Sequence, residues 1–151
     1  MKAKIAKVCT SFIDVPDKIS VAVYFAGCSI RCKGCQNKVL WEQSSGEDVL
    51  LEDLLSKVQG NPLAEYLVFL GGEPTDQMGF LIEFCKKEKS FKKALYTGRE
   101  FEVLPGELVK ELDFIVCGPF KTEEFVEGRF PASKNQRVFR KENGSWSCIT
   151  F

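Results

Sequence analysis

The chain has 151 residues, 44% of them apolar and 28% charged, an ordinary globular composition that predicts a single domain over 1–151 with a sizeable core. Its 21 basic and 21 acidic residues cancel, so no one-signed field points to nucleic acid or to an anionic membrane. Seven cysteines and no histidine exclude Ser-His-Asp and Cys-His catalysis, Cys/His zinc fingers and His-ligated catalytic zinc together.

The opening "MKAKIAKVCTSF" lacks the apolar core of a secretory signal. Apolar runs elsewhere are strand-length, far short of the ~20 residues of a membrane span. A soluble cytoplasmic protein is expected, and thiols in a reducing compartment read as metal or redox chemistry rather than a disulfide framework.

In chain order, "SVAVYFA" (20–26) is β-branched and aromatic and predicts a buried strand, followed by "GCSIRCKGCQN" (27–37). Residues 47–59 place Val49, Leu50, Leu54 and Val58 at helical spacing, and Gly60-Asn61-Pro62 ends that helix. "YLVFL" (66–70) is a second strand stopped by Gly71-Gly72-Glu73-Pro74, and 76–88 is a helix with Phe80, Leu81, Phe84 and Cys85 inward. "KKALYTG" (92–98) is a third strand, 104–112 a short helix with Pro105 in its first turn, and "DFIVC" (113–117) a fourth strand. After "GRFPASKN" (128–135) breaks the rhythm, Asn143-Gly144 between alternating apolar residues predicts a C-terminal β-hairpin. Alternating strands and helices imply a parallel α/β sheet. The chain is too short for a closed eight-stranded barrel, which leaves an open partial (β/α) barrel.

Such folds build sites from the loops at the carboxyl ends of their strands. Four of those loops here hold glycine beside a polar, acidic or thiol side chain: Gly27-Cys28, Gly71-Gly72-Glu73, Thr97-Gly98 and Cys117-Gly118. The first carries Cys28, Cys32 and Cys35 within eight residues. Three readings fit that triplet. It is a helical stripe of small apolar residues, three of the four ligands of a zinc site, or three ligands of an iron–sulfur cluster with one iron left open. Gly27, Gly34 and the intervening "SIR" and "KG" argue against the stripe, and Arg31 and Lys33 favour thiolates. Cys9, Cys85, Cys117 and Cys148 stand alone and are expected to pack rather than ligate.

Cys-x3-Cys-x2-Cys after a first strand, with "GGEP" after the second, resembles the radical S-adenosylmethionine (SAM) superfamily. That resemblance implies a [4Fe–4S] cluster on Cys28, Cys32 and Cys35, with SAM chelating the fourth iron. It also implies that Gly34, Gln36 and the Gly71, Gly72 and Glu73 backbone position SAM, with Thr97 near its ribose or carboxylate. Gly34 before the third cysteine, Trp41, Gly46, "LYTGRE" (95–100), "DFIVCGPF" (113–120) and "ASKNQR" (132–137) narrow the likeness. They resemble, in order, the motifs of the activating proteins of anaerobic ribonucleoside-triphosphate reductase, a branch whose members are short. Lys33, Cys117, Ala132 and the segment 14–18 depart from that pattern, Cys117 standing where aspartate is usual.

The implied activity is reductive cleavage of SAM to methionine and a 5′-deoxyadenosyl radical, which makes a glycyl radical on the reductase large subunit. The implied electron donor is a flavodoxin or a ferredoxin. No histidine is needed for such chemistry, because the cofactor carries it. Other readings stay open: a different glycyl-radical activase, a carboxy-deazaguanine-synthase-like enzyme, or a non-enzymatic metal module. Asn135-Gln136-Arg137 taken alone reads as a polar strand start, and only the family context makes it a candidate contact to SAM or partner.

Overall fold

A computed structural model describes residues 1–35 and 37–150. Its frame is one eight-stranded sheet in the order β3-β1-β2-β4-β5-β6-β7-β8. The four central strands are β2 (Ser20–Phe25), β4 (Tyr66–Gly71), β5 (Lys92–Thr97) and β6 (Phe114–Cys117), and they are parallel, pairing for example Val21 with Leu67 and Leu95 with Ile115. They are the four predicted strands. Their nearly uninterrupted apolar runs reflect burial on both faces.

β1 (Lys2–Ser11) and β3 (Glu47–Leu50) extend one edge antiparallel; β7 (Arg137–Glu142) and β8 (Ser145–Ile149) extend the other. β7 and β8 form the expected hairpin, with Asn143 (φ 52°) and Gly144 (φ 79°) both left-handed at its turn. β1 and β3 were not expected. Residues 47–50 pair with Lys2–Ile5 as a strand, so the predicted helix over 47–59 starts only at Leu51.

The central strands follow one another across the sheet in chain order. Crossovers of one hand then put every helix on the same face. α1 (Leu51–Lys57), α2 (Met78–Lys87) and α3 (Gly106–Val109) accordingly bury Leu54, Phe80, Leu81, Phe84 and Leu108 against Val23, Phe25, Phe69, Leu95 and Ile115. Phe25, Phe69 and Phe84 meet edge to face at 6.3 and 5.8 Å, and burying each such ring contributes about 2–3 kcal/mol. The other face carries Ala22, Val68, Leu70, Ala94 and Val116, packed with Val15 and Phe130 from loops and, among the described residues, with no α-helix. A singly wound sheet with one helix-free face is the open partial barrel. Among the described residues no helix is long and apolar enough to cross a membrane.

Candidate functional site

The helix-free face ends in a cavity of about 510 Å³ at the carboxyl ends of the parallel strands. Leu70, Tyr96 and Val116 form its floor, and the loops after β2, β4, β5 and β6 form its walls. Cys28, Cys32 and Cys35 line it opposite Gly71, Gly72, Glu73 and Thr97, so residues from three separate loops share one space. Gly34 is not among the lining residues; it faces Thr122. Gln36 lies outside the described residues.

Glycine brings the loops together. Glu73 N donates to Gly27 O at 2.8 Å and Gly72 N to Phe25 O at 2.9 Å. A side chain on Gly72 would overlap the Gly27 carbonyl and stand 2.9 Å from Leu40 O, both rigid backbone. Gly72→Ala should therefore destabilise the apoprotein by about 1–3 kcal/mol, read as a lower thermal midpoint, because the cysteine loop must move to admit one methyl group.

The Glu73 side chain is a fastener. It is 2% exposed, and its Oε2 accepts from Thr75 N (3.2 Å), Thr75 Oγ1 (2.6 Å) and Thr97 Oγ1 (2.7 Å), while Oε1 accepts from Gly98 N (2.8 Å). The Thr97 hydroxyl is thereby committed to Glu73. Asp76 ties the cysteine loop to its neighbours, accepting from Ser29 N (2.7 Å), Ser29 Oγ (2.8 Å) and Arg99 Nη2 (2.9 Å). Sequence reasoning missed Asp76 and Ser29; Arg99 lay inside "LYTGRE" without a role.

Burial raises the Cys32 thiol above its ordinary pKa, the neighbouring Cys35 and Cys28 raise it further, and the backbone amide of Phe120 acts against them. Asn37 N donates to Cys35 Sγ at 3.4 Å. Arg31 does not act as expected on the thiols. Its Nε donates to Cys28 O (2.8 Å), its Nη1 to Glu42 (3.0 Å), and its guanidinium lies over Trp41. Among the described residues no three potential ligands are close enough to grip an ion as they stand. The loop presents three thiols to one cavity. Three mutually repelling thiolates suit a cationic iron–sulfur centre. Trp41 Nε1 and Arg129 Nη1, on two residues lining the same cavity, are buried without a hydrogen-bond partner among the described residues, which suits a ligand bearing acceptor groups. The residues fit a three-cysteine cluster with a polar cosubstrate.

The remaining cysteines divide. Cys85 and Cys117 are fully buried in the helix-side core, where burial pushes their thiols up to about 12 and about 11. Cys117 Sγ points to Arg137 O at 3.6 Å, and Cys117 does not line the cavity. Cys9 and Cys148 are exposed on β1 and β8, contrary to the packing expected for them. Iodoacetamide at neutral pH, read by mass spectrometry on the native apoprotein, should label Cys9 and Cys148 first and leave Cys85 and Cys117 unmodified.

The chain is similar to several known proteins. The chain is 24% identical over 135 residues to the anaerobic ribonucleoside-triphosphate reductase-activating protein of Enterobacteria phage T4, covering 83% of this chain and 86% of that one. It is 30% identical over 105 residues to a pyruvate formate-lyase-activating enzyme of Clostridium pasteurianum, covering 65% of this chain and 44% of that one. It spans about half the length of several curated relatives it matches. The crystal structure of QueE from Escherichia coli superposes with a TM-score of 0.53 at 19% identity, covering 64% of this chain and 52% of that one, a likeness of fold. Residues 18–139, which include the whole cysteine loop and all four parallel strands, match the family described as 4Fe-4S single cluster domain, and the chain belongs to that family.

Proposed function

We propose that residues 1–151 act as one radical SAM domain that installs a glycyl radical on the large subunit of an anaerobic ribonucleoside-triphosphate reductase. The observation that carries this reading is the meeting of the Cys28–Cys35 loop and the Gly71–Glu73 turn in one cavity at the strand ends. Cys28, Cys32 and Cys35 would hold the cluster, and the Gly71, Gly72 and Glu73 backbone, with Gln36, would orient SAM. Thr97 serves that turn through Glu73. When bound, cluster and SAM supply a reductively generated 5′-deoxyadenosyl radical that takes a hydrogen atom from a glycine Cα. The protein's own part is to fix the two loops against each other, offer donors such as Trp41 Nε1 and Arg129 Nη1, and keep water from the apolar floor.

The target rests on the phage relative, matched over 86% of its own length. A pyruvate formate-lyase target is the alternative, favoured by the higher identity to the clostridial enzyme. One anaerobic experiment decides. The reconstituted protein is reduced with flavodoxin or ferredoxin, given SAM and either acceptor, and 5′-deoxyadenosine and the glycyl-radical EPR doublet are recorded. A doublet on the reductase supports the proposal; one only on the lyase transfers the activity. A cluster that leaves SAM uncleaved refutes the enzyme reading.

A further inference from the structure

The segment after β6 reaches back onto the cysteine loop. Thr122 Oγ1 donates to Lys33 O at 2.8 Å, bridging 89 residues of sequence. Gly34 is left-handed (φ 76°), and Thr122 Oγ1 occupies the space that a Gly34 side chain would fill. Phe120 and Cys32 line the same cavity. Residues 33 and 34 are therefore both met by the same short stretch.

That stretch is itself held from behind. Asn135 Nδ2 donates to Pro119 O (2.8 Å), Gln136 Nε2 to Gly118 O (3.2 Å), and Lys121 N to Ser133 Oγ (3.3 Å). Ser133 is fully buried, and Gln136 Oε1 accepts from both its N (3.1 Å) and its Oγ (3.0 Å). Asn135 and Gln136 thus have a definite partner in the fold: they brace the loop that touches the cysteines.

We propose that Gly118–Thr122 is a clasp that positions the cysteine loop, with Thr122 and Asn135 as its positioning residues; its service to the cluster rests on that loop holding one. In the apoprotein, slackening the clasp frees the loop, because one hydrogen bond of ordinary net strength shifts an open–closed balance about fivefold.

The test uses Thr122→Val, Thr122→Ser and Asn135→Ala. Thr122 is exposed, so its variants should keep the fold, and Asn135→Ala reaches the clasp from its other side. In the apoprotein, iodoacetamide labelling of Cys32 should quicken about fivefold in Thr122→Val and in Asn135→Ala, with Cys9 and Cys148 unchanged and Thr122→Ser near wild type. Labelling at the wild-type rate in both variants overturns the clasp. Wild-type protein that takes up no cluster refutes the iron–sulfur reading instead, while the labelling still decides the clasp.

Discussion

Cys32→Ala, reconstituted anaerobically with iron and sulfide, should yield at least about 100-fold less 5′-deoxyadenosine than the wild type, with the cluster's EPR signal lost. The effect is this large because the loop has no reserve ligand. Cys28 and Cys35 are its only other thiols; Cys85 and Cys117 are locked in the helix-side core, and Cys9 and Cys148 are exposed on β1 and β8. Two thiolates cannot hold a cubane whose fourth iron is left to a cosubstrate. Cys32 sits half-buried on a loop, so the apoprotein's thermal midpoint should hardly move, which separates loss of the cluster from loss of the fold. Cys9→Ala is the matched control and should retain full product formation. Persistence of a cluster in Cys32→Ala would mean that another residue completes the site, and the three-cysteine assignment would fall.

What the sequence discloses follows from what each residue must satisfy locally. β2, β4, β5 and β6 are legible because a strand buried on both faces has to be apolar throughout, and "SVAVYFA" and "YLVFL" can be little else. β1 is not, since it keeps lysines at positions 2, 4 and 7 and buries only Ala3, Ile5 and its end, a pattern that reads as solvated chain. β3 fails for a different reason. Val49 and Leu50 continue the helical spacing of Leu54 and Val58, and only pairing with Lys2–Ile5 makes residues 47–50 a strand. A choice made by a partner 42 to 48 residues away leaves no local mark.

The same distinction runs through the site. Three cysteines in eight residues and a Gly-Gly-Glu turn announce themselves because their spacing is the chemistry. The braces between loops do not: Asp76 reaches Ser29 across 47 residues, and Thr122 reaches Lys33 across 89. Asn135 and Gln136 were visible as a motif, but their partners, the carbonyls of Pro119 and Gly118, are backbone atoms that no sequence pattern names. Arg31 shows the converse error. Nearness in sequence suggested a cation beside the thiols, whereas the left-handed turn at Arg31 (φ 56°) sends its guanidinium to Glu42.

Glu73→Ala should lower the stability of the apoprotein by about 3–4 kcal/mol and its thermal midpoint by about 10 °C, before any cofactor is considered. The carboxylate is buried and gathers four donors from two loops, so its removal strands Gly98 N–H and Thr75 N–H and unties β4's loop from β5's. Glu73→Gln is the sharper instrument. One amide oxygen can keep the three donors that converge on Oε2, but its NH2 then confronts Gly98 N–H, so a loss of about 2 kcal/mol is expected. The graded order, wild type above Gln above Ala, is what a fastener predicts, and it should appear in the thermal midpoint without iron or SAM. A carboxylate whose business was instead to bind the cosubstrate would give the opposite result: unchanged midpoints in the apoprotein and a loss confined to SAM affinity. The buried geometry of Glu73, whose carboxylate accepts from four donors, favours the first.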